Sequence, residues 1–196
     1  ESLHIVRTAR SGVHAVTARA LDLLDACARL PGTPTHLFYH AQLLRQVGHY
    51  AAAHAKYLER AASVEGWEEE VYCSLWLAAQ LLRKMRRPTE EVVEALYRAH
   101  RARPARYEAL LELSHLLHAK RRFEEQYQLT TIATAPSTDV LMVEPRGHWL
   151  VIEEHGIAAF YTNRHAEAKA AFLRALEYAT DPSDRERLER NLGFCK

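Results

Sequence analysis

The letters AQLLR occupy residues 41–45 and return unchanged at residues 79–83. The likeness widens around them. "LFYHAQLLRQVG" fills 37–48 and "LWLAAQLLRKMR" fills 75–86, with looser copies in "LLELSHLLHAKR", 110–121, and "IEEHGIAAFYTN", 152–163. Every copy has a small residue in its fifth place: Ala41, Ala79, Ser114 and Gly156. Each is followed by a second stretch with helical periodicity, roughly 50–63, 90–103, 123–134 and 165–180. A small residue lets two helices approach, and a large aromatic one turn away fills the gap they leave. The copies begin at Leu37, Leu75, Leu110 and Ile152, so the intervals are 38, 35 and 42 residues.

Paired helices with that small–large pattern resemble the tetratricopeptide repeat (TPR), whose period is about 34 residues. In the first copy Leu37, Ala41, Leu44, Gly48, Tyr50, Ala53 and Tyr57 fall on the repeat's pattern. In the fourth, Ile152, Gly156, Ala159, Ala168, Phe172 and Ala175 do. Three residues depart from it: Arg60 where a small residue is usual, Pro88 in the second turn, and Arg121 where glycine is common. The resemblance implies an all-α fold, a right-handed superhelix (α-solenoid) of antiparallel helix pairs. The expected units are 34–65, 67–104, 106–135 and 148–180. A half-unit at 13–31 precedes them, and a capping helix at 182–194 follows, opened by Asp181 before Pro182. Residues 1–12 read as an extended connection. Residues 136–147 read as an extended insertion bounded by Pro136 and Pro145, with Val140, Leu141 or Val143 packed on the flank.

Composition agrees with a helical array. Of 196 residues, 48% are hydrophobic and 26% charged, and only 7 are Gly and 7 Pro. A formal net charge of +1 gives no global field for nucleic acid or an anionic membrane. No apolar run reaches the ~20 residues that a membrane-spanning helix needs. Cys27, Cys73 and Cys195 are odd in number and far apart, which argues against a disulfide framework and for a reducing, cytoplasmic setting. The chain starts at Glu1 and at half a repeat, as expected of a piece of something longer.

Two irregular stretches narrow the resemblance. Gly66-Trp67-Glu68-Glu69-Glu70 opens the second unit, and Val143-Glu144-Pro145 precedes the last. Over about residues 15–193 this order is similar to the TPR region that follows the catalytic domain in some family 2 glycosyltransferases. That resemblance implies a non-catalytic part of a larger enzyme, one that docks the transferase domain, drives self-association into a homo-oligomer or recruits a protein acceptor. The transferase reaction itself needs an α/β domain with an Asp-x-Asp metal site. No Asp-x-Asp occurs here; Asp22 and Asp25 are its nearest approach. The alternative is a freestanding TPR scaffold or regulator.

Stacked units align equivalent positions of their first helices along a concave groove. One row is Phe38, Trp76 and Leu111; the next is Gln42, Gln80 and His115; a third is Arg45, Arg83 and His118. Aromatic, amide and basic rows suit an extended peptide. Amides bond its backbone, arginines take its carboxylates and aromatics anchor its apolar side chains. Solvated polar faces and core aromatics are the plainer account of the same rows. The partner expected is a protein or peptide. His36 with His40, and His115 with His118, share helix faces, but no third ligand completes a metal site. No catalytic residue, cofactor or phosphate loop is expected.

Overall fold

The computed structural model describes residues 33–63, 65, 67–131 and 147–195. The half-unit, the extended connection, Cys27, Gly66, Val140, Leu141 and the Val143-Glu144-Pro145 signature lie outside the described residues. The described chain is all-α and divides into two compact units, with the boundary at Val92 and Val93.

The first unit contains α1 (Pro34–Gln46), α2 (Tyr50–Ala62) and α3 (Glu68–Lys84); α4 (Thr89–Ala102) carries the boundary. Helix α1 starts where Thr33 caps it, its hydroxyl accepting from His36 N–H at 3.4 Å, with Pro34 in the first turn. It packs on α2, α2 packs on α3, and α1 also touches α3. Ala41 and Ala53 are fully buried between α1 and α2, and Tyr57 sets its ring edge-on to Phe38 at 6.0 Å. Small residues thus bring the helices close and one aromatic fills the space beside them.

Arg60, the first departure from the repeat, is fully buried. Its Nε donates to Glu70 Oε2 at 3.0 Å and its Nη2 donates to the Trp67 carbonyl at 3.0 Å. The arginine therefore ties the end of α2 to the start of α3. Trp67 and Glu70 of the GWEEE stretch supply both acceptors, so the two irregularities explain one another.

The second unit contains α5 (Glu108–Ala119), α6 (Phe123–Thr130), α7 (Gly147–Tyr161), α8 (His165–Tyr178) and α9 (Pro182–Phe194). Each helix packs on the next, and α5 also meets α7 directly. Gly156 of α7 lies so close to Phe172 of α8 that a Cβ there would sit 2.7 Å from the ring. Of the stretch expected for α6, residues 132–134 lie outside the described residues. At the end of its described part the Thr130 hydroxyl donates to the Gln126 carbonyl and that of Thr131 to the Tyr127 carbonyl. Asp181 caps α9 by accepting from Ser183 N–H at 2.8 Å.

One turn recurs in all four helix pairs. Gly48, Arg86, Arg121 and Asn163 have φ of 84°, 55°, 58° and 63°. In each case the next residue's N–H reaches back to a carbonyl five residues earlier: His49 to Leu44, Arg87 to Leu82, Arg122 to Leu117, Arg164 to Ala159. This left-handed ending satisfies orphan carbonyls and reverses the chain. Arg121 replaces the usual glycine at a conformational cost.

Candidate peptide-binding groove

Of the nine residues in the three rows, six lie in the first unit and three in the second. Phe38, Trp76 and Leu111 are 7%, 9% and 7% exposed, so in the described chain they are packing residues first. Gln42, Gln80, Arg45 and His118 are half-buried, whereas Arg83 and His115 are exposed. His115 and His118 part company despite sharing a helix. His115 Nε2 lies 3.2 Å from Glu154 Oε1. His118 packs edge-on against Phe123 and Tyr161, each at 5.3 Å.

The second unit gathers a site that the three rows only touched. A pocket of about 360 Å³ opens where α5 and α7, the first helices of successive pairs, meet the capping helix α9. Leu111, Leu150 and Ile157 give it apolar walls, while Glu153, Glu154, Asp184 and Arg187 give it charge. Carrying the rows one copy further, from Leu111, His115 and His118 into the fourth repeat, lands on Glu153, Ile157 and Phe160. That extension was the available signal. Asp184 and Arg187, by contrast, lie on the capping helix, where the repeat letters have faded.

The charges are organised by part-buried hydrogen bonds. Arg187 forks onto Glu153, Nε to Oε1 and Nη2 to Oε2, both at 2.8 Å. Its Nη1 donates to Asp184 Oδ1 at 2.7 Å. The hydrogen bond to Glu153, with that to Asp184 behind it, raises the Arg187 pKa further above its ordinary value. Burial works to raise the Glu154 pKa, but the hydrogen bond and charge of His115, with the Ser114 hydroxyl, hold the carboxyl below its usual range. The Glu154 hydrogen bond in turn raises the pKa of His115. Ser114 donates to Glu154 Oε2 at 2.8 Å, and Gln126 Nε2 donates to that same oxygen at 2.9 Å and to Ser114 Oγ at 3.0 Å. So the small-residue position of the third copy has become polar, and Gln126 completes it from α6.

A second pocket of about 250 Å³ adjoins the first and shares Ile157 and Asn191 with it. Its walls are aromatic: Phe160, Tyr161, Phe172, Phe194 and the His118 ring. Tyr161 is 51% and Phe194 64% exposed, unusual for rings of that size beside a pocket. Tyr161 is stacked on Phe123 at 4.4 Å. This arrangement can hold a side chain by contact and orient a backbone by hydrogen bonds.

Among the described residues, no three His, Cys, Asp or Glu side chains are grouped to hold a metal ion. No helix among them is long and apolar enough to cross a membrane. Cys73 and Cys195 are both buried.

Comparison with known proteins adds the fold. No protein-family model matches the chain, and no curated protein matches it. Solved structures do. BtubC from P. vanneervenii superposes with a TM-score of 0.62 at 16% identity, over 91% of this chain and 80% of that one. YrrB, described as a TPR protein with an unusual peptide-binding site, gives 0.57 at 11% identity, over 91% of this chain and 88% of that one. A thermophilic TPR protein of Thermus thermophilus gives 0.51 at 19% identity, over 93% of this chain and 96% of that one. At these identities the likeness is one of fold. Together with the described helix pairs, it makes the chain all-α with a TPR-like helical-repeat fold.

Proposed function

We propose that the chain is a non-catalytic interaction module that holds an extended protein segment in the groove between α5, α7 and α9. One observation carries this reading: two first helices and the capping helix line a pocket whose charged groups are fixed in place by part-buried hydrogen bonds. Fixed polar groups between apolar walls suit recognition of a peptide. The TPR-like neighbours support the same reading, and the described peptide-binding site of YrrB shows that such a fold can take a peptide. The test is hydrogen exchange of the full chain with and without a bound peptide. Slower exchange in α5, α7 and α9 is expected; a bound peptide that leaves all three unchanged overturns the placement.

The finer reading keeps the glycosyltransferase resemblance. In it, the chain is the TPR part of a family 2 glycosyltransferase, docking the catalytic domain, self-associating or recruiting an acceptor in the cytoplasm. The GWEEE turn supports it, since Trp67 and Glu70 hold Arg60 and so give that signature a structural role. The alternative, a freestanding TPR scaffold or regulator, fits the fold equally. The two part at the gene. A reading frame that continues upstream into an α/β domain with Asp-x-Asp sustains the first, and a start codon beside Glu1 overturns it. In the first unit the rows offer a separate acidic-peptide site through Arg45 and Arg83. Arg45→Glu with Arg83→Glu should abolish capture of an acidic peptide while helicity stays intact, and unchanged capture removes that site.

A further inference from the structure

The chemistry of the groove specifies what can lie in it. Three carboxylates, Glu153, Glu154 and Asp184, face one guanidinium and the His115 ring, which is paired with Glu154. Their side chains are 5%, 13% and 7% exposed, so this charge sits in a medium that screens it poorly. Arg187 does not invite a fourth carboxylate: its Nε, Nη1 and Nη2 already donate to Glu153 and Asp184. Each Glu153 oxygen accepts one bond from Arg187 and retains acceptor capacity, because an ionised carboxylate offers about four lone-pair sites. An incoming ammonium or guanidinium would meet unspent acceptors and surplus negative charge. An incoming carboxylate would meet the repulsion of three carboxylates, and three of the five guanidinium N–H groups are already engaged.

The neighbouring aromatic pocket fixes a second requirement. Glu153 and Glu154 lie seven residues before Phe160 and Tyr161 on α7, which is about 10 Å along a helix. An extended chain covers that distance in about three residues. Resting on the reading of this groove as a peptide site, we propose that it selects an extended segment bearing a lysine or arginine about three residues from an aromatic or large aliphatic side chain. The cation lies against Glu154 and Glu153, and the apolar side chain enters between Phe194 and Tyr161. This partner is opposite in charge to the one that the Arg45 and Arg83 row would take.

The test pans a randomised peptide display library against the full chain and measures the enriched peptides by fluorescence anisotropy. Enrichment of Lys or Arg at that spacing from an aromatic or aliphatic residue is expected. So is about tenfold weaker binding to the Glu154→Gln protein, the scale of one lost charged hydrogen bond. Because Glu154 also bonds inside the fold, Phe194→Ala serves as the second variant. Phe194 is 64% exposed, so Phe194→Ala should leave helicity by circular dichroism unchanged while weakening the same peptides. Enriched acidic peptides, or peptides that bind both variants as tightly as the parent, overturn the inference while leaving the interaction module standing. A library that yields no binder overturns both.

Discussion

At the end of the second helix in a repeat pair, the first unit places Arg60 and the second places Ala175. Both are fully buried. Ala175 belongs to an apolar cluster with Phe172 and Leu188. Arg60 instead fills its space with a guanidinium that needs Glu70 and the Trp67 carbonyl to be tolerable there. The exposed chemistry diverges as well. The first unit's rows are amide and basic, through Gln42, Gln80, Arg45 and Arg83, while the second unit's pocket is acidic and aromatic. One repeat geometry can thus be closed by charge or by packing, and the positions that define the fold leave the groove positions free to differ.

The largest expected effect tests the charged closure. Arg60→Ala leaves Glu70 buried without its ion-pair partner and should cost about 3–5 kcal/mol. Replacing both members by leucine should recover most of that loss, because a buried pair is often matched by apolar side chains of similar volume. Denaturant unfolding measures both changes, and hydrogen exchange should place the loss in α2 and α3. A cost under about 1 kcal/mol for Arg60→Ala would mean that the pair behaves as a surface bridge and the contrast with Ala175 is empty.

Next comes the packed closure of the second unit. Gly156→Ala puts a methyl 2.7 Å from the Phe172 ring. Overpacking of this kind costs about 1–3 kcal/mol, although alanine returns up to about 1 kcal/mol as a better helix former. A net loss in the midpoint of denaturation is expected, and adding Phe172→Leu should relieve it. If Gly156→Ala stabilises the protein, α7 and α8 can part without penalty, and the close approach is not what holds them.

The fold was legible because its signal is local. The AQLLR pair, the small residue in the fifth place and the aromatic in the second helix are all set by helical periodicity, which sequence displays directly. Arg60 was visible only as a misfit, since its partner Glu70 lies on another helix and charge pairing between helices leaves no periodic trace. The pocket was half legible. Leu111 and His115 were in the rows, and one more copy would have added Glu153, Ile157 and Phe160. The network of Ser114, Gln126 and Glu154 was not legible at all, because it draws one polar side chain from each of three helices. The aromatic row was open to both readings in the sequence: Phe38 and Trp76 occupy packing positions, which favour large rings whether or not a ligand is bound.

The shared turn allows a finer comparison. Gly48 and Arg121 hold the same left-handed place, with φ of 84° and 58°. Arg121→Gly should stabilise the second unit by about 1 kcal/mol, as a side chain with a Cβ is strained there. Gly48→Ala should destabilise the first by about the same amount, even though no atom lies within 4 Å of the new methyl. Thermal melts of the two variants should therefore shift in opposite directions. Shifts in the same direction would show that the turns are not equivalent.

The smallest effect concerns pH, where the units should differ in sign at particular histidines. In the first unit, burial lowers the pKa of His40 and of His54, with nearby Lys56 and Arg87 adding to it. Folding then favours the neutral rings, so both contribute stability above about pH 6.5 and lose it as pH falls. In the second unit burial likewise lowers His100 and His155. His115 is the exception: its hydrogen bond to Glu154 raises its pKa, with Glu112 and Glu153 adding to the attraction. A raised histidine contributes stability that is complete below about pH 6.5 and disappears as pH climbs through the folded value. Glu154, held below its usual range, keeps its half of the pair until pH falls under about 4.5. His115→Gln isolates the pair. The variant should be less stable than the parent between about pH 4.5 and 6.5, and the two should converge as pH rises beyond that. Since the ring is 65% exposed, screening limits the gap to a few tenths of a kcal/mol. A difference that instead grows toward alkaline pH would mean that His115 acts by packing, and that the negative charge of the groove does not depend on it.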